Sequence, residues 1–391
     1  MIFLRQPLLS FCALVGLGLL LGGCQTSALR PIAVEHNGKP LPSVMDLQQE
    51  FLSQPDAMAR YLRLSELEAQ ALALAADEPL RLGSVGSAIL EIYPASYTGH
   101  FVLEKFYRDL ESSDAQQLHA SWLSHLGNTA ADGPDGSIDA PYRVMSINDA
   151  RTFLAMQGLL ETGALYQSNA ATPLGLTMLA RESAQKPLRT KQFDLSSILQ
   201  PLTKDLAGAQ TVQPNNPWPL LRELASSENS AAQASIGTFL AKQRRFDAAV
   251  GWLEVAARSG NLFANSLLAR IYWFKAGSAQ KQEPQQNSAE SDYPQPTAQQ
   301  FKQMALENHL QAIALGSADS MYTLGRLYIE EFFGPGNNAE GITLLEQAGG
   351  LGKAEALLYL GHQFRTGQRL DANPTAAKEY LEQAAALRNP A

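Results

Sequence analysis

Cysteine is almost absent from this chain, which has 2 cysteines, Cys12 and Cys24, among 391 residues. A disulfide framework is therefore excluded, and so is a metal site built from several thiolates. The 6 histidines form no HExxH arrangement, and no P-loop, dinucleotide fingerprint or G-x-S-x-G elbow follows Cys24. We therefore predict no catalytic residue, no metal site, no cofactor and no enzymatic activity.

Positive charge and strand-forming residues are also scarce. The chain has 30 Lys and Arg against 38 Asp and Glu, a net charge of -8, and no basic run. Such a sequence cannot neutralise a row of phosphates, which excludes a nucleic-acid partner and a polybasic membrane patch. Val and Ile are sparse whereas Ala and Leu are abundant, so the predicted fold class is all-α.

Long apolar runs are missing except at the N-terminus. The run Leu8–Leu21 is shorter than the roughly 20 residues of a spanning helix, and the charge of Arg5 before it is typical of a secretory signal. The sequence LGGC at 21–24 resembles the lipobox of bacterial lipoproteins. That resemblance implies that the preceding residues are removed and that Cys24 carries acyl chains such as palmitate. In the same family, Gln25 after the cysteine implies attachment to the outer membrane, facing the periplasm.

Composition and residue spacing divide the chain before residue 226 into three parts. We predict a signal peptide over 1–23, and a lipidated, Pro- and Gly-rich stalk over 24–45. Apolar residues at three- and four-residue spacing predict a helical region over 46–225. Part of it, SINDARTFLAMQGLLETG at 146–163, faintly echoes the repeats of the last third, so degenerate repeats are one interpretation of this region.

The last third, 226–391, contains four copies of one two-helix pattern. Each copy has a small residue within its first helix and a closing residue after its second. The small residues are Gly237, Ala269, Gly325 and Gly361, and the closing residues are Gly260, Gly316, Gly352 and Arg388. Glycine within a helix costs about 1 kcal/mol relative to alanine, which indicates close approach of a neighbouring helix. A Gln-, Ser- and Pro-rich insertion at 275–300 is predicted to be disordered.

The pattern A-x-x-x-L-G-x-x-Y, followed by a helix ending A-A-x-x-G, resembles Sel1-like repeats, relatives of the tetratricopeptide repeat. The third copy matches best, through Leu324, Gly325, Tyr328, Ala348 and Gly352. The resemblance implies an α-solenoid of stacked helical hairpins. It also implies that the first helix of each hairpin lines the concave, ligand-binding side.

Candidate binding residues follow from that implication. The position after each small residue carries Thr238, Arg270, Arg326 and His362, and Trp273 is one helical turn from Arg270. We predict a partner-binding surface made of Arg270, Arg326, His362 and Trp273. Its cations favour a carboxylate-bearing ligand, either an acidic peptide or an acidic polysaccharide. The alternative is that these are ordinary solvated basic residues.

The resemblance implies a non-enzymatic scaffold or adaptor lipoprotein that binds periplasmic or outer-membrane proteins. Repeat lipoproteins of this kind serve envelope assemblies such as exopolysaccharide secretion pores. One alternative is a cell-wall-active enzyme, or a β-lactam- or muropeptide-binding protein, with its site in the N-terminal half. Another is a regulator of a periplasmic enzyme.

Overall fold

A computed structural model describes residues 35–36, 38–204, 206, 215–282 and 296–388. They belong to one of the two units into which the chain divides, 34–391. The predicted signal peptide, the predicted lipidation site Cys24 and most of the predicted stalk lie outside the described residues. Among the helices described, none is long and apolar enough to cross a membrane.

The first part of the N-terminal region is helical, as predicted. Its helices are α1 (Val44–Ser53), α2 (Ala57–Asp77), a 3-10 turn (Pro79–Arg81), α3 (Leu82–Ile92), α4 (Tyr97–Asp109) and α5 (Ser113–Ala131). The predicted stalk ends earlier than expected, because strands β1 (Glu35–His36) and β2 (Lys39–Pro40) pair with each other before α1 begins.

A small sheet follows, which the sequence analysis did not predict. Its strands are β3 (Tyr142–Arg143), β4 (Leu160–Gln167), β5 (Gly175–Arg181) and β6 (Arg189–Asp194), in the order β3-β6-β5-β4. The β4-β5 and β5-β6 pairs are antiparallel, and β3 runs parallel to β6. Helix α6 (Ile147–Met156) leads into β4, so the suspected repeat at 146–163 is not a helical hairpin. Helices α7 (Ser196–Thr203) and α8 (Trp218–Ser226) lead to the repeats.

The last third forms four consecutive helical hairpins, as predicted. They are α9 (Ser230–Lys242) with α10 (Phe246–Arg258), α11 (Leu262–Gln282) with α12 (Ala298–Ala314), α13 (Ala318–Ile329) with α14 (Asn338–Gly350), and α15 (Ala354–Thr366) with α16 (Pro374–Arg388). We call α9, α11, α13 and α15 the first helices. Residues 275–282 are helical, so the predicted insertion at 275–300 begins too early; residues 283–295 lie outside the described part.

The repeat glycines have two functions. Gly316 has φ +96°, the left-handed conformation that ends a helix, and Gly260 and Gly352 are also left-handed. Gly325 lies where α13 crosses α14: a Cβ atom there would be 2.8 Å from the carbonyl oxygen of Gly341. Such a contact is too short, which explains why a glycine occupies the middle of α13.

We expect Gly325→Ala and Gly251→Ala to have opposite effects on stability. The first substitution forces α13 and α14 apart and should lower the free energy of unfolding by about 2 kcal/mol. Gly251 lies within α10, and a Cβ atom there would have open space around it, so alanine should add up to about 1 kcal/mol. Urea denaturation followed by circular dichroism measures both, and effects of the same sign would contradict this account of the crossing.

Strand β4 connects the sheet to the repeats. It is an edge strand, and its outward-facing backbone groups are satisfied by side chains of the first two hairpins. The Asn261 side chain donates to the carbonyl oxygen of Ala164 at 2.7 Å, and the Tyr166 amide donates to the hydroxyl of Ser235 at 2.8 Å. Leu165, between them in β4, packs into the core of the first two hairpins. Part of the surface of α9 and α11 is therefore occupied by the chain itself.

Candidate functional site

The open surface of the first helices contains two adjoining cavities. The first, of about 790 Å³, lies between the sheet and the helices α11 and α13; we call it the sheet-side cavity. The second, of about 420 Å³, lies along α9 and α11 and contains Trp273 and Phe274; we call it the aromatic cavity. Thr238, Leu267 and Arg270 line both cavities, so the two form one continuous surface.

Arg270 and Trp273, both predicted to bind a partner, lie together in the aromatic cavity. Trp273 is 45% exposed and its neighbour Phe274 is 57% exposed. Residues three and four apart share one face of a helix, so Arg270, Trp273 and Phe274 form a single patch on α11. Lys242 of α9 lines the same cavity and adds a second positive charge.

Arg326 is less available than the sequence suggested. Its guanidinium donates to Glu330 Oε1 from Nη2 at 2.9 Å, which offsets its charge. It also lies 5.6 Å from the ring centre of Tyr322 and 5.5 Å from that of Tyr359. His362 is exposed on α15. The structure therefore joins Arg270 with Trp273 and places Arg326 in its own ion pair.

A buried pair of carboxyl groups in the N-terminal region was missed by the sequence analysis. Glu68 of α2 accepts hydrogen bonds from the hydroxyls of Ser96 and Ser146, both at 2.7 Å. These serines are the N-caps of α4 and α6. Asp149 accepts the amide of Thr98 at 3.1 Å. The two carboxyl groups thus join the N-termini of α4 and α6, where helix dipoles favour negative charge.

Burial changes the protonation of this pair. Desolvation raises the pKa of Asp149 to about 6 despite its hydrogen bonds to Thr98. Desolvation, with the nearby charge of Asp149, also raises the pKa of Glu68 well above its ordinary value. Asp149 lines a cavity of about 360 Å³ together with Tyr93, Tyr97 and Arg143. Since the carboxyl oxygens already hold helix ends together, we assign the pair a structural role.

Two buried histidines form a second polar contact in this region. His100 Nε2 lies 2.9 Å from the carbonyl oxygen of Pro94, which can only accept, so this nitrogen carries the proton. His119 Nδ1 then donates to His100 Nδ1 at 2.9 Å. Burial lowers the pKa of His100 to about 3 and that of His119 to about 4. Both rings are neutral core residues, stacked on Trp122 and Tyr107 respectively.

Among the described residues, no group of three or more His, Cys, Asp or Glu side chains is arranged to hold a metal ion.

No protein-family model matches this chain, and no curated protein matches it. Among solved structures, a Sel1 repeat protein from Oxalobacter formigenes is 16% identical with a TM-score of 0.34, over 49% of this chain and 73% of that one. A protective antigen of uropathogenic Escherichia coli strains, which displays an SLR fold, is 14% identical with a TM-score of 0.29, over 89% of this chain and 65% of that one. The helical-repeat fold predicted from the Sel1-like pattern is seen directly in the four hairpins of residues 230–388.

Proposed function

We propose that this chain is a non-enzymatic scaffold that holds a partner protein against its first helices while Cys24 anchors it to the outer membrane. The observation that carries this proposal is the patch of Arg270, Trp273 and Phe274. Large aromatic side chains that stay exposed beside an arginine are typical of the residues that dominate protein interfaces. Stacked helical hairpins expose a long face of this kind, which suits the fold to binding.

The partner's binding segment is proposed to be an acidic peptide. Lys242 and Arg270 give the aromatic cavity positive charge in a protein whose net charge is -8. Phe246, Leu267 and Ile271 supply the apolar part of the same cavity. This combination favours a peptide with acidic and apolar side chains over a polysaccharide, which would leave the apolar residues uncovered.

The proposed location is the periplasmic face of the outer membrane. It is supported by the signal-like segment at 1–23, the lipobox-like sequence at 21–24, and Gln25. The partners would then be periplasmic or outer-membrane proteins of an envelope assembly such as exopolysaccharide secretion. The enzymatic alternative requires a reaction site in the N-terminal half, where the buried carboxyl groups already bond to helix ends.

Photocrosslinking in intact cells tests the proposal. A photoreactive phenylalanine derivative at Trp273 should capture a partner protein, because that side chain lies in the aromatic cavity. The same derivative at Trp252 is the matched control. Trp252 is 36% exposed but lies on α10, the second helix of its hairpin, and so outside the proposed binding surface of the first helices. In addition, Cys24→Ser should abolish palmitate labelling and release the protein from the membrane fraction.

The identity of the captured protein decides between an assembly component and a regulated enzyme. An equal yield of the same adduct from both tryptophan positions would contradict the proposed binding surface. Retention of Cys24→Ser in the outer-membrane fraction would contradict the proposed anchor. The two results are independent, so the surface and the anchor can fail separately.

A further inference from the structure

Two residues that line the sheet-side cavity carry buried polar atoms with no hydrogen-bond partner in the described part of the chain. His309 of α12 is 2% exposed and lines the cavity, and neither of its ring nitrogens has a partner. The hydroxyl of Ser266, on α11, lines the same cavity and also lacks a partner. Buried polar groups are nearly always paired in folded proteins, so unpaired atoms on two residues that line one cavity point to a bound molecule.

The protonation state of His309 defines what it offers to a ligand. Burial lowers its pKa to about 4, so the ring is neutral at neutral pH. A neutral imidazole has one N–H donor and one nitrogen acceptor. Ser266 adds a hydroxyl that can also donate. Two uncharged donors therefore lie on residues that line the cavity, one on the buried His309 and one on the half-buried Ser266.

Positive charge lies beside these donors. Arg270 lines the cavity one helical turn after Ser266, so the guanidinium and the hydroxyl share a face of α11. Helix α13 begins at the cavity with Ser317 and Ala318, and its N-terminus adds a favourable dipole for an anion. The acidic side chain at the cavity, Asp319, is paired with Lys353 at 2.6 Å. A carboxylate is the group that matches two neutral donors and a cation.

The opposite wall of the cavity is aliphatic. Leu165 of β4, Leu179 of β5 and Leu188, just before β6, come from the sheet. Leu262 and Leu267 of α11 continue this apolar lining. An aliphatic group next to the carboxylate would bury its surface against these side chains. The cavity volume of about 790 Å³ lies in the range of small-molecule sites.

We propose that the sheet-side cavity is a binding site for an aliphatic carboxylate. Its carboxylate accepts hydrogen bonds from Ser266 and His309 and pairs with Arg270, and its aliphatic part packs against the leucines of the sheet. The chemistry is shared by a small free acid and by the C-terminal residue of a peptide. The inference rests on the proposed function only in that this cavity opens onto the partner-binding surface.

Calorimetric titration of the purified full-length chain with four probes tests this site. The probes are N-acetyl-leucine, acetyl-Ala-Ala-Leu, and the C-terminal amide of each. Both acids, or the tripeptide acid alone, should bind at least about tenfold more tightly than the matching amide. Equal affinity of the two acids assigns the site to a small free acid, and a tighter tripeptide acid assigns it to a peptide end.

Variants of the cavity keep the test specific. Arg270→Gln and Ser266→Ala should each weaken binding of the acid by about tenfold, whereas Arg222→Gln, an exposed arginine on α8, should not. Binding should also shift the imidazole ¹⁵N resonances of His309. Amides that bind as well as acids, or an acid affinity unchanged by both cavity substitutions, would overturn the proposal. Crosslinking from Trp273 can still succeed in that case, so failure of this site is distinguishable from failure of the scaffold function.

Discussion

Asp149→Asn should become more stable relative to the native chain as the pH rises from about 4 to about 6. In the folded protein the pKa of Asp149 is raised to about 6, so the folded state keeps a proton that the unfolded state has already lost. Folding stability contributed by this group is therefore present at low pH and is lost as the pH rises through 6. Asparagine has no proton to lose and so avoids that cost.

The expected relative gain is about 3 kcal/mol, because each pKa unit corresponds to about 1.4 kcal/mol and the shift is about two units. Urea denaturation at a series of pH values, with the native chain beside each variant, measures it. Glu68→Gln should show a gain of the same sign, since the pKa of Glu68 is also raised. Glu91→Gln, at an exposed position on α3, is the matched control because it removes a carboxylate outside the buried pair. A stability difference between Asp149→Asn and the native chain that is constant with pH would refute the buried titration.

Asn261→Ala should destabilise the protein by about 3 kcal/mol, more than the loss of an ordinary helix cap. The carboxamide oxygen of Asn261 accepts the amide of Phe263 at 3.1 Å and so caps α11. Its nitrogen donates to the carbonyl oxygen of Ala164 in β4 at 2.7 Å. Losing a helix cap typically costs about 1 kcal/mol, and leaving a buried carbonyl group unpaired typically costs about a further 1–3 kcal/mol.

Two further substitutions separate these contributions. Ser317→Ala removes a cap alone, since the Ser317 hydroxyl accepts the amide of Ser320 at the start of α13, and should cost about 1 kcal/mol. Asn261→Ser keeps an oxygen that can cap α11 but is too short to reach β4, so it should fall between the other two. The same denaturation assay gives all three values. If Asn261→Ala costs no more than Ser317→Ala, the contact between β4 and the repeats contributes nothing to stability.

The repeats could be predicted from sequence because their signals are local and recur. The caps illustrate this: Asn261 and Ser317 directly follow the closing glycines Gly260 and Gly316, and both accept helical amides. Asn373 likewise caps α16, whose first residue is Pro374. Each signal is weak alone, but four copies in register make the hairpins predictable.

The sheet could not be predicted in the same way. Strand β5 reads GLTMLAR and is buried along most of its length, so it lacks the alternation of a half-exposed strand. Its Ala, Leu and Met also occur in helices, and a short apolar run of this kind does not distinguish the two structures. The pairing of β3 with β6 joins segments far apart in sequence, which no local pattern records.

The buried polar groups left a signal that spacing could have revealed. Tyr61, Leu64, Glu68 and Ala71 follow a three- and four-residue spacing, so Glu68 lies on the buried stripe of α2. Phe301, Ala305, His309 and Ala312 form a similar stripe on α12. A titratable side chain at such a buried position is either hydrogen-bonded, as Glu68 is, or left without a partner, as His309 is. Which of these outcomes holds depends on distant residues, and so requires the structure.

Repeat arrays are usually modular, because every unit meets its neighbours through the same kind of surface. In this chain the first two hairpins cannot be exchanged for other units, because they also pack against β4. Side chains alternate along β4, so Ala164 and Tyr166 belong to the interior of the N-terminal region while Leu165 belongs to that of the repeats. A unit exchanged from further along the array would lack a place for this strand. The array is thus free to vary at its far end, and its near end is fixed to one specific neighbour.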